Sequence, residues 1–143
     1  MKGDVLKLEN QLCFPLYACS RAIIKAYNPF LRRLDLTYTQ YLVMLVLWTE
    51  KRINVKKLGE YLHLDSGTLT PLLKKMEAKN LLRRERSVED ERILLVSITE
   101  AGAALREKAR AIPAEMGRCL GIAPTEIKVL YDLLYKVLEN LKK

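Results

Sequence analysis

Residues 64–77 constrain the fold of this chain more than any other stretch, because they encode an amphipathic helix with an unusual polar face. Asp65 or Ser66 can cap its N-terminus by accepting a hydrogen bond from the first turn. The apolar residues have the spacing of a core-facing helix: Leu69, Leu72, Leu73 and Met76. The other face carries short hydroxyls and then ammonium groups: Ser66, Thr68, Thr70, Lys74 and Lys75. Such a face can bind phosphates or base edges, although taken alone it fits a solvated helix better.

The residues just before this stretch predict a short helix and a tight turn. Asn54 can cap that helix, and Leu58 and Leu62 share its inward face with Val55. Gly59 allows another helix to approach closely. Residues 63–65 then form a turn of about three residues, so residues 54–77 have helix-turn-helix organisation.

The hydrophobic period changes after residue 80. Residues 81–86 and 93–98 are short runs rich in β-compatible or alternating residues, and residues 87–91 lie between them. A hairpin after a recognition helix is the wing of a winged helix. The wing contains four guanidinium groups, which suit phosphates and the minor groove: Arg83, Arg84, Arg86 and Arg92. An edge hairpin that is merely solubilising is the alternative.

Helices flank this central segment on both sides. The first runs from about residue 12 to 34; Pro15 is tolerated in its first turn, and Pro29 should kink or end it. Thr37 and Gln40 form a capping box for a second helix, whose body over residues 41–49 is apolar and central. Thr99 caps a fifth helix that reaches Met116.

The last helix begins at residues 124–126 and carries an apolar stripe too long for a lone terminal helix: Ile127, Leu130, Tyr131, Leu134, Leu138 and Leu141. We expect a second copy of the chain to cover it, since two-fold dimers present two recognition helices about 34–36 Å apart.

Composition excludes several other classes of protein. The 143 residues carry 25 Lys and Arg against 17 Asp and Glu, and the net charge of +8 suits a polyanionic partner. We find neither a run of roughly 18 apolar residues nor a signal peptide, so we expect no membrane partner and a cytoplasmic protein with its three cysteines reduced. Their wide spacing, with one His, predicts no metal site and no cofactor.

A helix-turn-helix, a wing with Asp90-x-Arg92 and flanking helices resemble the multiple antibiotic resistance regulator (MarR) family of dimeric winged-helix repressors. Three strings are similar to its organic hydroperoxide resistance regulator (OhrR) branch: Leu-Cys-Phe at 12–14, Leu-Thr-Tyr-Thr-Gln-Tyr at 36–41 and Leu-Asp-Ser-Gly-Thr-Leu-Thr-Pro-Leu-Leu at 64–73. The resemblance covers essentially the whole chain.

This resemblance implies one domain over 1–143, mainly α with a small β-hairpin wing, in the dimeric MarR-type winged helix-turn-helix architecture. Residues 36–98, approximately, would bind double-stranded DNA at a pseudo-palindromic operator, and residues of about 4–34 and 99–143 would form a homodimer. We expect the following residues to bind DNA: Ser66, Thr68, Thr70, Lys74, Lys75, Arg84, Arg86, Asp90 and Arg92.

In the OhrR branch an N-terminal cysteine senses organic hydroperoxide, and tyrosines from the first two helices line its pocket. The matching positions are Cys13 with Tyr17, Tyr27 and Tyr38. Cys119 falls where some members carry a resolving cysteine, which implies an intersubunit Cys13–Cys119 disulfide. Two features depart from the branch: Pro15 replaces a small helix former, and Cys19 is an additional thiol that we expect to be structural.

The residues themselves leave other functions open. Thiols react as thiolates, a form that a helix N-terminus favours, and oxidise to sulfenic acids that condense with a second thiol; many cysteines, however, are inert core residues. If Cys13 is such an inert residue, the chain would be a MarR-type repressor controlled by a small phenolic ligand. A thiol peroxidase using Cys13 is less favoured because no cation is clearly placed beside that thiol, and we expect no enzyme. A winged-helix adaptor that does not bind DNA is the third alternative.

Overall fold

The computed structural model describes residues 3–142, which fold into helices and one small sheet. The elements follow in this order: a 3₁₀ turn (Leu8–Asn10), α1 (Cys13–Arg32), α2 (Tyr38–Glu50), β1 (Arg52–Asn54), α3 (Val55–Leu62), α4 (Ser66–Ala78), β2 (Leu82–Arg86), β3 (Leu94–Ile98), α5 (Glu100–Ala109), α6 (Ile112–Leu120) and α7 (Pro124–Leu141). The chain divides into two compact units between Arg110 and Ala111. The first unit holds α1 to α5 with the sheet, and the second holds α6 and α7.

Helix α2 lies at the centre of the first unit, in contact with α1, α3, α4 and α5. Its Val43, Met44 and Leu47 are completely buried. Other elements add side chains that are at most 1% exposed: Leu31, Leu58, Leu69, Leu73, Met76, Leu82 and Val96. Each such side chain contributes roughly 1.5–3 kcal/mol relative to an exposed position. The predicted central position of the second helix is therefore confirmed.

The predicted wing hairpin is present, and a short strand that was not predicted joins it. The sheet is antiparallel with the order β1–β3–β2. In the register, Val96 of β3 pairs with Ile53 of β1 on one side and with Arg84 of β2 on the other. The added strand fixes the base of the wing beside the start of α3.

Three of the predicted helix caps are confirmed. Thr37 and Gln40 form the capping box of α2, with reciprocal contacts of 3.1 and 3.3 Å. Asn54 accepts a hydrogen bond of 2.7 Å from the Lys56 N–H at the start of α3. Thr99 accepts one of 3.0 Å from the Gly102 N–H at the start of α5. These caps satisfy N–H groups that have no partner within their helices.

The prediction that Pro29 kinks or ends the first helix is wrong in one respect, because the helix continues beyond this residue. Helix α1 starts at Cys13, as Pro15 predicts, but it continues through Pro29 and ends at Arg32. A proline removes the hydrogen bond to the carbonyl four residues earlier, here that of Lys25, and its ring crowds that carbonyl. Pro29 nevertheless does not end the helix.

The prediction of one helix from Thr99 past Met116 is wrong. Helix α5 ends at Ala109, and α6 begins at Ile112 after a break at Arg110 and Ala111. Pro113 has no N–H to donate to the carbonyl of Ala109, so the ladder of helical hydrogen bonds stops there. A proline in the first turn of α6 suits a helix start.

Helix α7 forms with an unusual degree of exposure. It begins at Pro124 as predicted, and its 18 residues include none that is buried. Leu130 is 46% exposed, Leu133 55% and Leu141 75%. Within the described residues, no helix is both long and apolar enough to cross a membrane.

Candidate nucleic-acid interface and thiol site

Helix α4 presents the polar face that its sequence predicts. Asp65 caps it by accepting a hydrogen bond of 2.8 Å from the Thr68 N–H, and this donor holds the pKa of the Asp65 carboxyl below its usual value. Leu69, Leu73 and Met76 are buried. The five predicted DNA-binding side chains of this helix are all exposed: Ser66, Thr68, Thr70, Lys74 and Lys75.

The turn between α3 and α4 sets the angle at which α4 is presented. His63 ends α3 in the left-handed conformation, with φ of +55°, and the Leu64 N–H donates to the Gly59 carbonyl at 3.0 Å. A Cβ on Gly59 would lie 2.8 Å from the Leu64 carbonyl oxygen and 3.1 Å from Cδ1 of Leu69. The close approach predicted for Gly59 is therefore confirmed.

Arg84 of the wing is bound to the end of α4. Its backbone N–H donates to Oε2 of Glu77 at 2.8 Å, while Nε and Nη2 donate to Oε1 at 3.1 and 3.0 Å. These donors lower the pKa of the Glu77 carboxyl. Two guanidinium N–H groups predicted to face DNA are thus engaged within the protein, and Arg84 fixes the wing to the recognition helix.

The tip of the wing holds an exposed, oriented arginine. Nε and Nη2 of Arg92 donate to the two carboxylate oxygens of Asp90, both at 3.1 Å, and this lowers the pKa of the Asp90 carboxyl. The Arg92 side chain remains 90% exposed. Because a guanidinium has five donors, the pair leaves several for a phosphate. Arg83 and Arg86 are also exposed on β2.

Cys13 lies at the N-terminus of α1, and its side chain is exposed. Leu12 provides no side-chain cap, and the first turn of α1 contains no acidic residue. The positive end of the helix dipole is therefore not neutralised there. One turn later, Tyr17 accepts a hydrogen bond of 3.3 Å from Nη1 of Arg21. This contact leaves the Tyr17 O–H available to donate.

A shallow depression of about 470 Å³ lies on the same helix. It is lined by Phe14, Tyr17, Ala18, Arg21, Ala22 and Lys25. Aromatic rings and two cations therefore border an apolar floor of alanines.

Three tyrosines meet where α1 crosses the start of α2. The ring centroids of Tyr27 and Tyr38 are 4.8 Å apart, and Tyr41 lies 5.7 Å from Tyr27. Trp48 extends the cluster at 6.3 Å from Tyr41. Burial raises the pKa of Tyr27 to about 12, with smaller contributions from the phenols of Tyr38 and Tyr41. These phenols are consequently neutral hydrogen-bond donors near pH 7. Tyr41 was not predicted to belong here, because its position in an apolar helix indicates only a core residue.

Within one chain, the thiol and this cluster are far apart. Tyr27 follows Cys13 by fourteen residues along the same helix, which corresponds to about 21 Å at 1.5 Å per residue. Tyr17 is the predicted pocket residue that lies on the thiol's own end of α1. A single chain therefore brings together Tyr27 and Tyr38 but not Cys13 with either of them.

The other two thiols are also exposed. Cys119 lies in the last turn of α6, close to Gly121, whose left-handed conformation ends that helix. Cys19 lies on α1, and its side chain is exposed within one chain. Within residues 3–142, no group of three His, Cys, Asp or Glu side chains is arranged to hold a metal ion.

Comparison with known proteins identifies relatives of this chain and solved structures with a similar fold. The family profile described as "Transcriptional regulator SarA/Rot" matches residues 25–109. The chain is 53% identical to the organic hydroperoxide resistance transcriptional regulator of Bacillus subtilis (strain 168), over 98% of this chain and 95% of that protein. It is similar to reduced AbfR bound to DNA, with a TM-score of 0.79, 34% identity and 95% of each chain covered; AbfR is a protein of Staphylococcus epidermidis. It is also similar to a cysteine-to-serine mutant of MarR from E. coli complexed with operator DNA, with a TM-score of 0.84, 25% identity and coverage of 95% and 99%.

These similarities confirm both the predicted fold class and the predicted resemblance. The chain belongs to the SarA/Rot family of MarR-type winged-helix transcriptional regulators, in the branch of the organic hydroperoxide resistance regulators.

Proposed function

We propose that this protein is a cytoplasmic repressor that binds a pseudo-palindromic operator as a homodimer and releases it when organic hydroperoxide oxidises Cys13. The observation that carries the proposal is the surface of α4: hydroxyls and ammonium groups are exposed on one face, and Arg92 is oriented at the tip of the adjoining wing. The neutral donors suit base edges and the cations suit phosphates.

The exposed apolar surface of α7 supports a homodimer. None of the 18 residues of α7 is buried within one chain, and exposed apolar surface of this kind marks protein interfaces. A second copy supplies the same surface in a two-fold arrangement, and the two recognition helices then lie about one turn of DNA apart.

The separation of Cys13 from Tyr27 supports a sensor site shared between subunits. About 21 Å along α1 is too far for a hydrogen bond within a chain. An antiparallel meeting of two α1 helices would bring the thiol of one copy to the tyrosines of the other. Neutral phenols, with the pKa of Tyr27 at about 12, would donate hydrogen bonds to the thiolate or to its oxidised form without adding charge.

The chemistry needs only the hydroperoxide and thiols. The Cys13 thiolate attacks the terminal peroxide oxygen, the S–O bond forms as the O–O bond breaks, and the alkoxide that leaves takes up the proton lost from the thiol to become the alcohol. The sulfur is oxidised to a sulfenic acid and the peroxide is reduced. The thiol of Cys119 from the partner subunit then displaces water from the sulfenic acid and forms a disulfide.

A solved structure of disulfide-formed AbfR, 34% identical with a TM-score of 0.69 over 95% of this chain and 93% of that one, supports disulfide chemistry as the outcome. In this chain Cys119 is exposed and near the end of α6, beside Gly121. Loss of the phenol contacts and a new covalent link would change the spacing of the recognition helices, and a few lost phosphate contacts are sufficient to release DNA.

The test is DNA binding by the purified protein before and after stoichiometric cumene hydroperoxide, followed by dithiothreitol. We expect binding to weaken at least tenfold on oxidation and to recover on reduction. Cys13→Ser should bind but no longer respond, while Cys19→Ser, the matched control on the same helix, should respond like the wild type. Release by oxidised Cys13→Ser would contradict the proposal.

Non-reducing gels test the disulfide separately. Oxidised wild type should give a covalent dimer, and Cys119→Ser should not. A covalent dimer that persists in Cys119→Ser would exclude Cys119 as the resolving thiol but would leave Cys13 as the sensor.

The depression on α1 favours one other candidate, a repressor controlled by a small phenolic acid. Phe14 and Tyr17 could contact an aromatic ring, and Arg21 and Lys25 its carboxylate. Gel shifts that respond to salicylate and not to hydroperoxide would support it. We propose no enzymatic role; repeated turnover of peroxide with thioredoxin would contradict that.

A further inference from the structure

A lysine just beyond the recognition helix is bound to the turn between α1 and α2. Nζ of Lys79 donates to the Asp35 main-chain carbonyl at 2.6 Å and to Oε1 of Gln40 at 3.1 Å. The Asp35 carboxylate is farther away, at 3.7 Å, and is 92% exposed, so this ion pair contributes little. The contact depends on the carbonyl and the amide oxygen.

The amide oxygen that Lys79 reaches belongs to the capping box of α2. Oε1 of Gln40 accepts from the Thr37 N–H at 3.1 Å as well as from Lys79, and Gln40 is only 4% exposed. Between Thr37 and Gln40 lies Tyr38, whose ring contacts Tyr27. One buried oxygen therefore joins the start of α2, where the tyrosine cluster begins, to the end of α4.

The same end of α4 is also bound to the wing. Glu77, two residues before Lys79, accepts three hydrogen bonds from Arg84. The last turn of the recognition helix is thus held on one side by the α1–α2 turn and on the other by β2. A displacement of the connection between α1 and α2 would therefore move the last turn of α4, and with it both the recognition helix and the wing.

We propose that Lys79 is a positioning residue that couples the tyrosine cluster to the recognition helix. In the reduced dimer, its ammonium group holds the end of α4 at the orientation that suits the operator. When oxidation of Cys13 in the other copy displaces Tyr38, the capping box moves, the contacts of Lys79 with Asp35 and Gln40 change, and α4 loses that orientation. This inference rests on the proposed function, since it requires Cys13-dependent release of DNA.

The experiment compares Lys79→Met, which keeps the aliphatic stem but has no donor, with Lys108→Met, an equal change of charge on the exposed surface of α5. For each protein, operator affinity is measured over a series of salt concentrations, before and after stoichiometric cumene hydroperoxide. Wild type and Cys13→Ser are measured alongside. Circular dichroism confirms folding, and Lys79→Leu, which also has no donor, takes the place of Lys79→Met if the latter is unfolded.

We expect Lys79→Met to weaken operator binding of the reduced protein about fivefold relative to Lys108→Met, with an unchanged salt dependence. The oxidised forms should bind alike, so the factor by which hydroperoxide weakens binding should fall about fivefold. Lys79→Arg retains charged donors and should restore the wild-type factor.

Two results would overturn the inference. A salt dependence reduced by about one phosphate contact relative to Lys108→Met would make Lys79 a direct DNA ligand. Equal weakening of the reduced and oxidised proteins, or no weakening, would leave it a structural or inert residue. If wild type does not release DNA on oxidation, or Cys13→Ser still does, the proposed function itself fails, and this inference fails with it.

Discussion

Replacing Thr99 with valine should destabilise the first unit, because one hydroxyl joins α5 to the end of the recognition helix. Oγ1 of Thr99 accepts from the Gly102 N–H at 3.0 Å and donates to the Asn80 carbonyl at 2.7 Å. Thr99 is 9% exposed. Valine has nearly the same shape, so Thr99→Val removes these two hydrogen bonds without removing the packing.

The expected loss in the free energy of unfolding follows from these two hydrogen bonds. Loss of a helix N-cap costs about 1 kcal/mol, and a further hydrogen bond contributes about 1 kcal/mol. Gly102 is buried, so its N–H would be left without a partner, and the free energy of unfolding should fall by about 2 kcal/mol.

Urea unfolding followed by tryptophan fluorescence measures this change. The chain contains one tryptophan, Trp48, and its indole N–H donates to the Gly102 carbonyl at 2.9 Å. Circular dichroism should give the same midpoint, and protein concentration must be fixed because unfolding of the proposed homodimer would depend on it. The control is Thr49→Val, which removes an exposed hydroxyl whose contact with the Leu45 carbonyl is 3.4 Å and should cost less than about 0.5 kcal/mol. A difference between the two variants below about 0.5 kcal/mol would refute the reasoning.

Two further predictions concern the tyrosine cluster and the helix-turn-helix. Because the pKa of Tyr27 is about 12 in the folded chain against an ordinary 10.0, the unfolded chain loses this proton first, and the free energy of unfolding should fall as pH rises from 10 to 12. Tyr27→Phe should reduce that fall in urea unfolding; parallel curves would contradict the assignment. Gly59→Ala should cost about 1–3 kcal/mol and weaken operator binding, since its Cβ would meet the Leu64 carbonyl oxygen. Gly67→Ala, where the nearest atom is Oδ1 of Asp65 at 3.4 Å, is the control for stability and should be nearly neutral.

The features that sequence predicts well here are those decided by a few neighbouring residues. Thr37, Asn54 and Thr99 cap their helices because each side chain needs only an N–H two or three positions later. The recognition helix was predictable for the same reason, since its period of apolar residues defines both its buried face and its exposed one.

The features that sequence did not predict depend on contacts between distant or opposed elements. Strand β1 has only three residues, too few for their alternation to identify a strand, and it forms because β3 offers it an edge. Arg84 looks like any other arginine of the wing, yet the fold directs it back to Glu77. The break before Pro113 is a different case, because this proline is a local signal in the sequence for the start of a new helix.

The candidate sensor shows why a single chain is an incomplete description of this protein. The proposed sensor combines Cys13 with Tyr27 and Tyr38, whereas the helix that carries Cys13 and Tyr27 separates them by about 21 Å. Under the proposed function, the site is therefore assembled from two copies. The apolar side chains of α7, which are exposed in one chain, support the same assembly. Under the proposed function, dimerisation therefore creates both the spacing that DNA requires and the pocket that the hydroperoxide enters, so a change in that pocket necessarily acts on the interface that sets the spacing.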